Sequence, residues 1–242
     1  MYKVVLAVIA SRGEIYDRLV ETYWKRIIDI SEKRGDVKII LMYGCDQKAH
    51  ELNIPESNLF VGSQKDSLWP GIISKTIECL RHINRTYKYD HIIRTNLSSF
   101  FILDKLVDQG RALRKERCYA GIYGKHFNQE FCSGACFWLS RCTSEYLVDN
   151  CHEYMWNISS DDVVVGMIME KYGVKPQPLG RFDFTCNHYY LSEPGECEHW
   201  KGELLKNHYH VRIKNENDRN MDVLYMAKLT EMFYPEVTNA LL

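Results

Sequence analysis

Two stretches limit what this chain can fold into: Val4 to Ala10 and Val37 to Tyr43 are apolar almost without interruption. A strand with one wet face alternates apolar and polar residues, whereas a run that stays apolar needs cover on both faces. Parallel strands sandwiched between helices meet that need. Between the two runs, apolar residues recur at Ile15/Leu19/Tyr23/Ile27 and at Tyr16/Val20/Trp24/Ile28. Two neighbouring i, i+4 rows make one apolar face, which predicts an amphipathic helix over Ile15 to Ile30 that Gly35-Asp36 breaks. Strand, helix and strand in this order form a parallel unit.

The pattern continues with a short strand over Asn58 to Val61, then a helix opened by Pro70-Gly71 with Ile72, Ile73, Ile77, Leu80 and Ile83 on one face. Tyr89 to Thr95 reads as a strand, Ile102 to Leu113 as a helix, Tyr119 to Tyr123 and Ala135 to Leu139 as strands, and Cys142 to Glu153 as a helix. Ser160-Asp161-Asp162 starts a helix over Val163 to Tyr172, with Gly173 as its C′ residue. From Arg181 no period is clear until a last helix near Met221 to Phe233. The expected fold is α/β: one domain over residues 1–242, Rossmann-like, with a mainly parallel central sheet flanked by helices. Ligands of such sheets sit at the carboxyl ends of the strands, here Ser11-Arg12-Gly13, Gly44-Cys45-Asp46 and Arg94-Thr95-Asn96. Neither GxGxxG nor GxxxxGK[ST] follows the first strand, which speaks against dinucleotide enzymes and P-loop NTPases.

Composition removes other classes. The 31 Lys+Arg and 32 Asp+Glu leave a net charge of -1, so no overall basic field asks for a nucleic-acid partner. No stretch approaches the roughly 18 to 20 apolar residues of a membrane span. The first apolar run ends at Arg12, Glu14 and Asp17 without a small-residue cleavage site. Nine Cys, an odd number with no CxxC pair, include Cys79, Cys132 and Cys136 inside apolar runs. Buried free thiols in a reducing compartment explain that usage, and the expected location is cytoplasmic.

Four segments carry a family resemblance. Ser67-Leu68-Trp69-Pro70-Gly71-Ile72-Ile73-Ser74-Lys75-Thr76 looks like "DxYxNLTLKT", and His91 to Phe100, through Arg94-Thr95-Asn96-Leu97-Ser98, is similar to a strand ending in "KxDDD". Phe131-Cys132-Ser133-Gly134-Ala135-Cys136-Phe137-Trp138-Leu139-Ser140 resembles "YCSGxGYVLS", and Ser160-Asp161-Asp162-Val163-Val164-Val165-Gly166 matches "EDVxVG". In order and spacing these resemble the β1,3-galactosyltransferase-like families of GT-A-fold glycosyltransferases. The resemblance implies an inverting transfer from a UDP- or GDP-sugar to a hydroxyl of a glycan or glycosylated acceptor.

It also implies site residues. Asp162 takes the place of the catalytic base, in the first turn of a helix whose dipole favours negative charge; the structural alternative is a helix-start Asp that only caps. Ser133, Gly134 and Asp161 fall beside donor sugar and acceptor. Donor contacts are expected from Ser11, Arg12, Lys75, Arg94, Thr95, Asn96 and Ser98. The family's DxD carboxylates hold Mn²⁺ or Mg²⁺ on the nucleotide diphosphate, because hard cations take oxygen ligands. Here the corresponding residues are the neutral Asn96 and Ser98, with His210 a further weak candidate ligand. Asn96 also reads as a turn residue bonding its own backbone. Without strong metal ligands, the diphosphate needs cations. The segment His208 to Lys214, with Arg219, is the densest cluster, and alternation puts His208, His210, Arg212 and Lys214 on one face of an extended piece. His210, Arg212 and Lys214 are therefore candidate diphosphate contacts. Two other readings stay open: a non-catalytic nucleotide-sugar or glycan-binding module of the same fold, and an unrelated α/β nucleotidyltransferase with Asp46 as its strand-end carboxylate.

Overall fold

The structure, a computed structural model, describes residues 1–153, 160–184, 202–204, 206 and 208–235. β1 (Tyr2–Ile9) has β2 (Val37–Tyr43) on one side and β4 (Tyr89–Asn96) on the other, both parallel to it. β3 (Leu59–Val61) extends the first side in parallel. Beyond β4, β7 (Gln129–Ser140) runs antiparallel, β6 (Tyr119–His126) antiparallel to β7, and the two-residue β8 (Gln177–Pro178) parallel to β6. The order β3-β2-β1-β4-β7-β6-β8 is a mainly parallel sheet with one reversed strand. The α/β expectation is met.

Both faces are covered, as the uninterrupted runs required. Val4, Leu6 and Val8 of β1 join one core cluster; Val5 and Ala7 join the other. β2 divides in the same way, with Ile39, Leu41 and Tyr43 on the first face and Ile40 and Met42 on the second. The first face packs against α1 (Glu14–Leu19), a π turn (Val20–Trp24), α2 (Lys25–Arg34), α4 (Leu103–Ala112) and α7 (Asn220–Phe233). The second packs against α3 (Gly71–Thr86), α5 (Arg141–Asn150) and α6 (Asp161–Lys171). In α6 the starting cap is Ser160, one residue before the helix, and Gly173 follows with φ 70° as expected of C′.

Departures from the sequence reading have local causes. The helix predicted over Ile15 to Ile30 runs from Glu14 to Arg34 but widens into the π turn. Its extra residue turns both Tyr23 and Trp24 inward, where each is fully buried. The strands foreseen at Tyr119 to Tyr123 and Ala135 to Leu139 are the buried halves of a longer hairpin, whose outer half is too polar for an apolar-run reading. The tail without clear period contributes β9 (Phe182–Phe184) and β10 (His210–Ile213), most of the chain between them lying outside the described residues. These pair with β5 (Ser99–Phe101) in a second sheet, β5-β10-β9, antiparallel then parallel. Strands of three or four residues are too short to show a period. Seven cysteines, all of those among the described residues, are free, and five of these are buried. No helix of the described residues is long and apolar enough to cross a membrane.

Tyr23 and Trp24 fasten the first face to the turn after β4. Trp24 Nε1 donates to Leu97 O at 3.1 Å, and the Tyr23 hydroxyl accepts from Phe101 N at 2.9 Å. Tyr23→Phe strands a buried N–H, a loss of about 1–3 kcal/mol. Urea unfolding followed by circular dichroism is expected to show that loss with an unchanged m-value.

Candidate active site at the carboxyl ends of β1 and β4

From β1 the chain moves outward to β2 and β3, then returns through α3 to β4 on the other side of β1. The order reverses between β1 and β4, and the carboxyl ends flanking such a reversal are the crevice position where sheets of this kind bind ligands. Ile9 and Asn96 are register partners there, so Ser11 and the turn after Asn96 face each other across it. Three clusters line this edge.

The first gathers residues from β4, β7 and α6. Gly134 N donates to Asp162 Oδ2 at 3.0 Å, while Asp162 Oδ1 accepts from Val163 N at 3.0 Å and from the Ser160 hydroxyl. Asp162 is thus more than a helix cap: one of its oxygens is held by a strand 28 residues earlier. An ionised carboxylate has about four lone-pair sites, so one is left for a ligand hydroxyl. Arg94, with its side chain 4% exposed, forms an ion pair with Asp161 and stacks over Phe137, and its Nε has no hydrogen-bond partner. A Cβ on Gly134 would stand 2.6 Å from Arg94 Nη1 and 3.4 Å from Asp162 Oδ2, so a side chain there would have to displace the Arg94 guanidinium. The Ser133 hydroxyl accepts from Ala135 N at 3.4 Å and stays with its own strand.

The second cluster lies where β1 ends. Ser11 Oγ donates to Asp66 Oδ2 at 2.5 Å, and Lys75 Nζ donates to Asp66 Oδ1 and, at 2.9 Å, to Ala10 O. Lys75, expected to face the donor, is 1% exposed and sits beneath the crevice instead. A long side chain on a helix packed against the sheet reaches a partly buried carboxylate nearby. Burial pulls its ammonium below the usual value, and Asp66 pushes it up again. Arg12 also turns from the donor side, its Nε on Asp17 at 3.0 Å and its Nη1 on Glu51 at 3.2 Å. Asp66 itself carries no motif in the sequence; the tight Gly44 approach places it, since a Cβ there would meet Asp66 N at 2.5 Å.

The third cluster brings the C-terminal cations to the turn after β4. Ile213 N donates to Ser98 O at 2.7 Å, and Arg219 Nη2 to Ser98 Oγ at 3.3 Å. Asn96 Oδ1 accepts from Ser98 N at 3.1 Å, the turn arrangement weighed from its sequence position. Thr95 is fully buried and bonds Ser99 Oγ and Ala135 O, which places it behind the crevice wall. His210 is buried too, stacked on Phe101 with Nε2 at 3.0 Å from Ser99 Oγ. Burial, with Arg181 and Arg212 adding to it, holds its imidazole well below the usual range and hence neutral. Arg212 is half-buried and Lys214 exposed, both on the open side.

This donor set does not fit a hard divalent cation. The Asn96 amide oxygen is turned into its own loop, Ser98 faces a guanidinium, and His210 is enclosed. Among the described residues no three His, Cys, Asp or Glu side chains gather to hold a metal.

No protein-family model matches the sequence, and no curated protein does. Among solved structures, the chain is similar to the galactosyltransferase LgtC in complex with donor and acceptor sugar analogs, at 10% identity and a TM-score of 0.49, over 96% of this chain and 95% of that one. It is also similar to the apo-form glycosyltransferase GlyE of Streptococcus pneumoniae TIGR4, at 12% identity and a TM-score of 0.49, over 98% of this chain and 64% of that one. Likenesses at these scores assign nothing further, and the α/β architecture stands on its own strand order.

Removing Asp161 leaves the buried Arg94 guanidinium without its carboxylate. Asp161→Ala is expected to lower stability by about 3 kcal/mol, well beyond the effect of Asp162→Asn, whose amide oxygen still accepts from Gly134 N. Thermal melts of the two variants in parallel check the order.

Proposed function

We propose that this chain transfers a sugar from a nucleoside-diphosphate donor to a hydroxyl acceptor with inversion, without requiring a divalent cation. The observation that carries the reading is the 3.0 Å contact from Gly134 N to Asp162. It joins two segments that the family resemblance sets around the reacting carbon, and its three accepted hydrogen bonds leave one carboxylate lone-pair site without a protein partner.

In this reading Asp162 takes the proton of the acceptor hydroxyl as that oxygen attacks the anomeric carbon from the face opposite the leaving diphosphate. Arg94 and Asp161 position α6 against β7, and Ser11 and Asp66, held from below by Lys75, form the donor side of the crevice. Ser133 and Gly134 border the sugar. Charge on the departing diphosphate is met by the cations of β10 and the residues after it, since Asn96 and Ser98 supply none.

The non-catalytic alternative has its own support in the inward-turned Asn96 and in the arginine facing Ser98. One pair of measurements separates the readings. Asp162→Asn is expected to cut sugar transfer by a factor of about 10²–10⁴ while donor affinity stays within a few fold. Absence of transfer by the wild-type chain with a panel of UDP- and GDP-sugars, together with retained binding, favours the binding module.

Metal dependence is a separate expectation. Calorimetric titration of UDP and GDP in EDTA and in Mn²⁺ is expected to give affinities within a few fold of each other. A hundredfold loss in EDTA, about 2.7 kcal/mol, would overturn the metal-free reading.

A further inference from the structure

Between α4 and β6, residues 113–118 read Leu-Arg-Lys-Glu-Arg-Cys. Carboxylates near this loop are committed to other cations: Asp90 to Lys3 and Lys115 at 3.3 and 3.5 Å, and Asp108 to Arg111 at 3.0 Å. Arg114 in this loop and Lys175 in the loop after α6 are exposed, and neither has a carboxylate within ion-pair distance among the described residues. Arg117 is held in place instead. Its Nη2 donates to Tyr172 O at 2.7 Å and to Gly173 O at 3.2 Å, where α6 ends, and its guanidinium lies 4.5 Å from the centre of the Tyr172 ring. Tyr172 in turn stacks on Tyr146, with ring centres 4.0 Å apart. These contacts cap the helix and fix the guanidinium, while its Nη1 and Nε donors have no protein partner among the described residues.

Arg114, Arg117 and Lys175 line one cavity of about 430 Å³, and none of its other lining residues is charged. Tyr119 and Val174, both buried, form part of its wall, and Gln177 brings an exposed amide. The volume falls in the range of about 300–1,000 Å³ usual for ligand pockets. Capping of α6 accounts for Arg117 alone and leaves the other two cations unexplained. Like charges gathered without a carboxylate repel one another, and an anion relieves that repulsion. A carboxylate ligand would meet one charge of the three. A phosphate monoester carries about 1.5 to 2 negative charges at pH 7 and three acceptor oxygens, which suit arginine and lysine donors. The cavity stands apart from the crevice. Tyr119 is the register partner of Leu139, and Leu139 of Ile92. Ile92 precedes Asn96 on β4 by roughly 13 Å, at about 3.3 Å per residue, and no lining residue belongs to the three clusters at the carboxyl ends.

We propose that Arg114, Arg117 and Lys175 form a site for a phosphate monoester, separate from the crevice at the carboxyl ends of β1 and β4. Arg117 is its fixed member, and the exposed side chains of Arg114 and Lys175 supply the remaining charge. The monoester comes to it free in solution or as the headgroup of a lipid, and the recognition chemistry is the same in both. The site stands whether or not the chain transfers sugar.

The test is titration of the full chain with phenyl phosphate, followed through the amide signals of Gly173, Val174 and Gln177 in heteronuclear NMR spectra. Saturable shifts are expected there, and the Gly134 amide reports the crevice separately. Arg114→Gln/Lys175→Gln is expected to weaken binding by about tenfold or more. Both residues are exposed and unpaired, so thermal melts of this variant are expected to match the wild type. Lys33→Gln/Lys228→Gln, which removes the same charge elsewhere, is expected to leave binding within about twofold. Cosedimentation with phosphatidylcholine vesicles carrying phosphatidic acid identifies the source. Retention that the Arg114/Lys175 variant loses and the control pair keeps assigns the lipid headgroup; soluble binding without retention assigns a free monoester. The proposal is overturned if phenyl phosphate at millimolar concentration gives no saturable shift at these amides and retention on vesicles is the same in all variants. Binding by the Arg114/Lys175 variant within about twofold of wild type, or an equal loss in the control pair, overturns it as well.

Discussion

How the chain turns after β4 decides where every candidate residue stands. Trp24 and Tyr23 hold that turn from the helical side, through Leu97 O and Phe101 N. Thr95 ties it to β7 through Ala135 O and to Ser99, whose hydroxyl meets His210. Ile213 N closes on Ser98 O from the C-terminal side. These bonds are buried, so each is worth more than its surface counterpart, and losing one leaves an unpaired group behind. They fasten the second sheet to the first and bring residues more than a hundred positions apart to one crevice.

Charge is distributed around that crevice in two ways. Lys75, Arg12 and Arg94 each have carboxylate partners and hold the walls in place. Arg212 has none among the described residues, while Arg181, like Arg94, is paired with one carboxylate and keeps one buried nitrogen without a hydrogen bond. Paired buried cations specify geometry at little net gain in energy.

Much of the architecture was legible in the sequence, and the reason is periodicity. The apolar runs of β1 and β2 required cover on both faces, and the paired rows from Ile15 required one helix face. Gly134 and Asp162 stood out as a glycine between small residues and an acid at a helix start, and they meet. β5, β9 and β10 were not all legible, because three or four residues cannot display a period and their pairing joins distant segments.

By itself the sequence determined the order of elements, the two-faced burial of the sheet, and which residue types stand at the strand ends, since these follow from local pattern and backbone preference. Only the tertiary structure decided the partner of each charge. Arg and Lys stems reach several ångströms in directions that spacing does not encode, so Lys75 went to Asp66, Arg12 to Asp17 and Arg94 to Asp161. Which cations found a carboxylate and which, like Arg212, did not among the described residues is a balance that exists only once the sheets have met.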